Sequence, residues 1–290
     1  MTGVGSLSST IRGIDAVFAR LSFTCLCADG YRLWWFMKIA TYNAASVRAR
    51  LPRLTEWLAE NQPDLIAVQE TKVENDKFPR AEFEEMGYHL ALHGQKSWNG
   101  VAFLSKEPVT DVVTGFPDGE LSEDARIIAG TFQGIRIINT YVPNGNTVGS
   151  EKWAYKMAWL EKFADYIGSI PQGTPLIWMG DINIAPQPHD VYDSPKLLGG
   201  VCHHRDEFAR LSSILSYGLI DLFRLNEFGG GHYSYWEFTI PGAVDRGIGW
   251  RIDHIYATED LAESCHRCYI DVPPRKLEKP SDHTFVVAEW

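Results

Sequence analysis

Short apolar runs that stop abruptly on polar clusters are the feature of this chain that most restricts its fold. Leu65-Ile66-Ala67-Val68 runs into Gln69-Glu70-Thr71, and Pro175-Leu176-Ile177-Trp178-Met179 runs into Gly180-Asp181-Ile182-Asn183. Arg251-Ile252-Asp253-His254 opens the run Ile255-Tyr256-Ala257, and Ser281-Asp282-His283 precedes the apolar tail Thr284 to Glu289. Such runs read as buried strands, and in layered α/β proteins ligand sites gather where strands end. Each cluster alone would pass for a turn or a helix cap. Four at the ends of apolar runs point to a reaction centre.

The elements between them intermix. Lys38 to Tyr42 reads as a strand that delivers Asn43, followed by a helix with Pro52 near its first turn and Leu54, Trp57 and Leu58 on one face. After the strand Leu65 to Val68, strand-like runs at 88–92, 101–104, 109–113, 127–132 and 135–141 are separated by Gly, Pro, Asn and Asp, the pattern of an antiparallel stretch. Ser150 caps a long helix whose Trp153, Met157, Leu160, Ala164 and Ile167 form a core stripe. A strand at 176–179, a Pro-rich loop at 185–195 and a helix around 207–216 follow, then strands at 219–223, 250–257 and 284–289. Two groups of strands with intermixed helices imply sheets packed together with helices outside. A length of 290 residues with 45% hydrophobic content suffices for one large core, and no linker or repeat divides it.

The net charge of −10 argues against a protein that holds nucleic acid by bulk charge alone, but not against a nuclease whose site is built from carboxylates. Arg48, Arg50, Lys96, Lys152, Lys156, Arg246 and Arg251 are candidates for a local basic patch. Five cysteines, an odd number, fit a reducing, cytoplasmic setting better than a disulfide framework. Cys265-His266-Arg267-Cys268 has zinc-like spacing without a second ligand pair, so these read as ordinary thiols. The first 36 residues are too often interrupted by charge to span a membrane, and Met37 is followed at once by the first strand. Met37 is therefore expected to be the functional start, with 1–36 a leader lacking its own fold.

The polar clusters hold what phosphodiester hydrolysis demands: neutralised charge at phosphorus, an activated water and help for the leaving oxygen. A hard cation such as Mg²⁺ takes oxygen ligands, and Glu70 is the first choice. Asp181 is the candidate base, with Asn183 as orienter of the water. His283 suits a phosphoryl oxygen, its tautomer fixed by Asp253.

From Met37 to Trp290 the chain resembles the exonuclease III branch of the endonuclease/exonuclease/phosphatase superfamily, the Mg²⁺-dependent abasic-site endonucleases. The motifs are Tyr42-Asn43 with Val47-Arg48-Ala49-Arg50, Gln69-Glu70-Thr71-Lys72, Asn99-Gly100-Val101-Ala102 and Ala125-Arg126-Ile127-Ile128. Further along are Asn139 to Gly145, Gly180 to Pro186, Trp250 to Ile255 and Pro280-Ser281-Asp282-His283. The resemblance implies a four-layer α/β sandwich, two packed mixed β-sheets flanked by helices. It implies a metal, Mg²⁺ or else Mn²⁺, at Glu70 with Asn43 and Asp282 close by, and Tyr141 against the phosphate or leaving group. Arg48, Asn99, Arg126, Asn144, Tyr235, Trp236 and Arg251 are the expected substrate-binding positions. The implied partner of a monomeric, membrane-free enzyme is double-stranded DNA with abasic sites or 3′ ends, cut 5′ to the lesion, with 3′-to-5′ exonuclease and 3′-phosphatase activity.

The chain departs from this pattern at Ser234 to Thr239, where relatives have Ser-Trp-Trp-Asp-Tyr-Arg, through the loop to Gly249, at Ala45-Ser46, and at Thr284-Phe285. The first of these bears on lesion recognition more than on metal chemistry. Two other readings compete: a superfamily phosphatase acting on a small phosphate ester, and a DNA-binding relative without catalysis. The motifs at 48–50 and 141–145 oppose the former, and the intact Glu70, Asp181, Asn183, Asp253 and His283 oppose the latter.

Overall fold

A computed structural model describes residues 37–290, so the expectation of a leader at 1–36 lies outside the described residues. In chain order the elements begin with β1 (Lys38–Asn43), α1 (Val47–Asn61), β2 (Leu65–Gln69), α2 (Arg80–Glu84), β3 (His89–His93) and β4 (Val101–Ser105). Next come β5 (Thr110–Thr114), β6 (Ile127–Phe132), β7 (Ile135–Tyr141), α3 (Glu151–Gly168), β8 (Leu176–Asp181), α4 (Ser194–Leu197) and α5 (Arg205–Leu215). The chain closes with β9 (Leu219–Asp221), β10 (Asp253–Thr258), α6 (Glu259–Ser264), β11 (Arg267–Asp271) and β12 (Phe285–Glu289).

These strands build two six-stranded sheets, ordered β11-β12-β1-β2-β4-β3 and β5-β6-β7-β8-β10-β9. Both are mixed: β1 runs parallel to β2 and β7 to β8, while the other pairs are antiparallel. The expected antiparallel middle exists, but it is divided, with β3 and β4 in the first sheet and β5 to β7 in the second.

The period-two alternation of strands decides the layers. On the outer face of the first sheet, Tyr42, Ile66, Val68, Leu104 and Val287 bury against Val47, Leu54, Trp57 and Leu58 of α1. On that of the second, Ile138, Trp178 and Tyr256 bury against Met157, Leu160 and Phe163 of α3 and Leu211 and Ile214 of α5. The inner faces meet each other, so the architecture is the four-layer α/β sandwich. Carboxamides cross the inner layer: Gln69 Nε2 donates to Asn139 Oδ1 at 2.7 Å, and Asn139 Nδ2 donates to the carbonyls of Val68 and Ala102 at 3.1 and 3.0 Å. This bond between two buried carboxamides ties the sheets together in one register.

Two departures from the family pattern have packing reasons here. Phe285 is stacked between Tyr42 and Trp57, with ring centroids 3.9 and 4.0 Å away and interplanar angles of 12° and 4°. Its partner Thr284 donates its hydroxyl to the Asp271 carbonyl, tying β12 to the end of β11. Ser46 caps α1, its hydroxyl accepting from the Ala49 N–H. Because α1 starts at Val47, Pro52 lies in its second turn, where it removes one ladder bond, rather than in the first.

Candidate active site

The register of the strands collects the polar clusters at one edge of the sandwich. Asn43 pairs with Gln69 at the ends of β1 and β2, while Tyr141 pairs with Asp181 at the ends of β7 and β8, and Asp253 opens β10 opposite Asp181. Gly180 makes the approach of β8 to β7 feasible. At φ +139° any Cβ there would sit 2.0 Å from the Thr140 carbonyl oxygen, so β8 lies against β7 only with glycine before the aspartate. Glu70 and Asn183 both adopt left-handed backbone, φ +50° and +52°. Glu70 is held so by Ser46 N–H donating to its carbonyl at 2.8 Å and by the flanking bonds from Ala44 and Val47 to Gln69 and Thr71. Strain of this kind persists where the surroundings over-determine the backbone, as at functional sites.

Two sequence-distant side chains form the centre. His283 Nδ1 lies 2.8 Å from Asp253 Oδ2, both buried, and its Nε2 lies 3.8 Å from Asp181 Oδ2. Asn43 Nδ2 bridges two carboxylates, donating to Glu70 Oε1 at 2.8 Å and Asp181 Oδ2 at 2.9 Å. Ser281, which the sequence reading passed over although it sits inside the Ser-Asp-His cluster, donates to the Asn43 carbonyl at 2.8 Å and accepts from the His283 N–H at 3.3 Å. Glu70 is paired with Lys72 at 2.6 Å. Arg126 lies over the Tyr141 ring, 4.9 Å from its centroid, and donates to the Tyr141 carbonyl at 3.2 Å.

Burial and neighbours set the protonation states. Burial, with help from Asp253 and Glu70, pushes the Asp181 carboxyl well above the usual carboxylate range, against the pull of His283. Burial would depress the His283 imidazole, but Asp253, Asp181 and Asp282 outweigh it and raise it to about 10, so it is an imidazolium at neutral pH. Glu70 goes the other way: burial is overcome by Lys72, Asn43 and His283, which hold it below the ordinary value. Burial and the charges of Glu70 and Asp181 push the Tyr141 hydroxyl well above 10, leaving it a neutral donor.

Among the described residues, Asp181, Asp253 and His283 are the group whose ligand atoms lie closest, within 4.8 Å of one another, and could hold a metal ion. His283 already lends its charge to both aspartates, and its Nδ1 is committed to Asp253. A hard cation is better served by oxygens: Glu70, deprotonated and bridged through Asn43 to Asp181, offers them. The buried Asp253 Oδ1 lacks a hydrogen-bond partner, and Asp181 is charge-stressed, so the donor set fits a divalent cation.

Some expectations change. Arg251 does not face substrate; it is 1% exposed, with Asp190 bound at Nε and Nη2 and Asp221 at Nη1 and Nη2. Trp236, 3% exposed, packs with Tyr233 and Ala243 beneath the divergent loop and supports it from inside. Lys156 leaves the basic patch as well, being fully buried. Asn99 spends its amide on Gln95 and Asp124, at 2.9 Å each, and braces its loop. Asn183 does not aim a free carboxamide at a water: its Nδ2 donates to the Val142 carbonyl at 3.0 Å, its Oδ1 accepts from Asn144 at 2.9 Å, and its main-chain N–H donates to Asp181 Oδ1 at 3.0 Å. Arg48 is exposed, as are Lys96, Lys152 and Arg246, while Asp282 is half-buried beside His283. Tyr235 sets its ring 4.9 Å from that of His283 and its hydroxyl 2.7 Å from Glu237 Oε2. Trp98, beside Asn99, is 70% exposed.

Comparison with known proteins agrees with this geometry. The endonuclease/exonuclease/phosphatase family profile matches residues 40–283. Exodeoxyribonuclease III of Haemophilus influenzae is 33% identical over 267 residues, 88% of this chain and all of that protein. Among solved structures, an AP endonuclease from Archaeoglobus fulgidus is 43% identical with a TM-score of 0.82, covering 87% of this chain and 98% of that one. A 3′ phosphatase from Neisseria bound to product DNA hairpin is 36% identical with a TM-score of 0.84, covering 88% and 99%. With the motifs in order, the strands in register and their ends gathered at one edge, the chain belongs to the endonuclease/exonuclease/phosphatase family.

Proposed function

We propose that this protein is a Mg²⁺-dependent DNA-repair phosphodiesterase that cuts duplex DNA 5′ to abasic sites and also trims 3′ ends as a 3′-to-5′ exonuclease and 3′ phosphatase. The observation that supports it most is the buried set in which a charge-stressed Asp181 stands beside a charged His283 held by Asp253. The same environment raises both groups, which keeps the imidazole charged and brings the carboxyl close to the working pH of a general base.

The chain's own residues divide the work as follows. Asp181, in its ionised form and with its pKa raised toward neutral pH, accepts a proton from the attacking water at a carboxylate oxygen. The Asn183 N–H fixes the other oxygen, so the base has one orientation. His283 Nε2, with Nδ1 committed to Asp253, donates to a phosphoryl oxygen and stabilises charge that grows there. The P–O3′ bond breaks, the phosphate stays on the 5′ side of the abasic sugar, and the neutral Tyr141 hydroxyl donates to the departing oxygen or its phosphate. Mg²⁺, or Mn²⁺ in its place, would be held by Glu70 with Asn43 and Asp282 alongside, and when bound supplies charge neutralisation on the phosphate. Arg48, Arg126 and Asn144 are assigned to the DNA backbone, and Tyr235 to the abasic sugar.

No helix among the described residues is long and apolar enough to cross a membrane. We assign the enzyme to the cytoplasm, acting as a monomer on DNA. A duplex oligonucleotide with one abasic analogue, incubated with Mg²⁺ or with EDTA, tests the proposal. Incision is expected with Mg²⁺ alone. Folded protein that leaves the duplex intact yet hydrolyses a soluble phosphate ester would place it with the superfamily's small-ester phosphatases.

A further inference from the structure

We propose that Lys156 is a positioning residue for the catalytic base, acting through the main chain of Asn183, with Glu207 as its fixed counter-charge. The inference rests on Asp181 being the base. Lys156 lies on α3 with its side chain wholly buried, and each of its three ammonium protons has one acceptor. These are the Asn144 carbonyl at 3.1 Å, the Asn183 carbonyl at 2.8 Å and Glu207 Oε1. The two carbonyls belong to the loops after β7 and β8, which also meet through Asn144 Nδ2 and Asn183 Oδ1 at 2.9 Å.

Asn183 is held from both sides. Its carbonyl is bound to the ammonium, while its N–H is the group that orients Asp181 Oδ1. Its backbone is left-handed, a conformation that a non-glycine residue keeps only under constraint. Charge-assisted bonds are shorter and stronger than neutral ones, so the ammonium is a suitable clamp. The fit around the stem is close: a Cβ on Gly145, at φ +91°, would lie 3.0 Å from Lys156 Cδ and 3.2 Å from Trp153 Cε3. Glu207 is anchored independently, its Oε1 accepting from Cys202 N–H and its Oε2 from His204 N–H, both at 3.0 Å.

A fully buried ion pair is a poor means of stabilisation, since desolvating both charges offsets most of their attraction and apolar replacements of like volume often serve as well. That contrast separates positioning from packing. Lys156→Met is expected to lower kcat about 100-fold, the cost of misplacing a reacting group by about 1 Å, with KM changed by less than about 3-fold. In the double variant Lys156→Met/Glu207→Gln, which leaves no unpaired buried charge, the melting temperature should recover while kcat stays low. Turnover that returns with the melting temperature, a loss confined to KM, or unchanged kcat in the single variant each overturns the proposal. If Lys156→Met does not fold, Glu207→Gln alone keeps both carbonyl contacts and weakens the clamp; kcat lowered about 10-fold supports it, and unchanged kcat overturns it. The kinetics use any phosphodiester or 3′-phosphate that the unmodified enzyme cleaves. A wild-type protein inactive on abasic duplex therefore counts against the substrate assignment, not against the clamp.

Discussion

Two clusters of buried charge leave the start of β10 in different directions, and they are built on opposite plans. One joins Arg251 and Arg224 to Asp190 and Asp221, two cations to two anions, with His254 Nδ1 accepting from Arg251 at 3.0 Å and its Nε2 donating to the Ile184 carbonyl at 2.8 Å. The other sets Asp181, Asp253, Glu70 and the half-buried Asp282 around His283, with the Lys72 ammonium at the edge. In the first, Asp190 and Asp221 are held below the carboxylate range by Arg251, against burial, and Arg251 is stabilised in its charged form. In the second, Asp181 is pushed up and Asp253 Oδ1 is left without a partner. Buried charge by itself does not mark a reaction centre. A cluster whose charges balance holds the fold; one with carboxylates in excess has capacity for metal, water and phosphate.

The comparison is most exposed to failure at Asp181 and His283. Asp181→Asn or His283→Ala should lower incision of abasic duplex by roughly 10³- to 10⁴-fold, the scale of a lost base or charge stabiliser. Asp181→Asn should meanwhile leave the melting temperature unchanged or higher, because a raised carboxyl pKa means that the ionised form costs folding energy at neutral pH. Thermal unfolding by circular dichroism beside single-turnover kinetics separates the two effects. A clear drop in melting temperature would show that this cluster, too, serves the fold.

Arg251→Met should behave in reverse. Removing it leaves the half-buried Asp221 without its counter-charge and the buried Asp190 with Arg224 alone, at a cost of about 3–5 kcal/mol. Turnover per folded molecule should remain that of the wild type, as the guanidinium touches nothing that touches phosphate. Urea unfolding and active-site-normalised rates read the two quantities; intact stability with lost activity would return Arg251 to the substrate-binding set.

The pH dependence of stability should divide along the same line. Asp221 is depressed in the folded state, so its contribution is in place above its unfolded pKa of about 3.9 and is lost as pH falls through the lower folded value. His283 is raised to about 10, so its contribution is full below about 6.5 and disappears as pH rises toward 10. Asp221→Asn should therefore flatten the acid limb of the stability profile alone, and His283→Gln the alkaline limb alone. Denaturation midpoints at pH 2 to 10 test this, and variants that shift both limbs together would mean that the clusters are one network.

Much of this was legible from the sequence. The strands at 127–132 and 135–141 and the Ser150-capped helix stand where the sequence pattern puts them, because each is long and flanked by turn residues, the strands buried almost throughout and the helix along one face. β11 went unread because Arg267-Cys268-Tyr269-Ile270-Asp271 is a half-exposed edge strand without an apolar run. The pairing of Asp253 with His283 was accessible because both residues end motifs whose chemistry is incomplete without the other. Arg251 was misread for the converse reason. Its partners lie 61 and 30 residues away, on a short loop helix and on β9, and nothing in Asp190 or Asp221 announces that each has a cation waiting. Pairing across the fold is a property of strand register and loop closure, which residue spacing does not encode.

The smallest effect concerns the segment that sits over the open cluster. Tyr235 bridges it in two ways: its main chain forms bridges to Trp250 and His283, and its ring lies 5.9 Å from Trp250 and 4.9 Å from His283. Truncating the ring leaves the main-chain bridges in place, so His283 should keep its position and the chemistry should continue. What is lost is an aromatic face beside the imidazolium, worth about 0.5–1.5 kcal/mol or roughly 2- to 10-fold. Under the proposed abasic-sugar role, Tyr235→Ala should lower abasic-site incision by that factor more than it lowers exonuclease action on undamaged duplex ends, where no exposed sugar needs a wall. Competition between the two substrates in one reaction measures the ratio directly. Equal losses would mean that Tyr235 acts only by steadying His283, and the divergent segment would then belong to the catalytic cluster rather than to lesion choice.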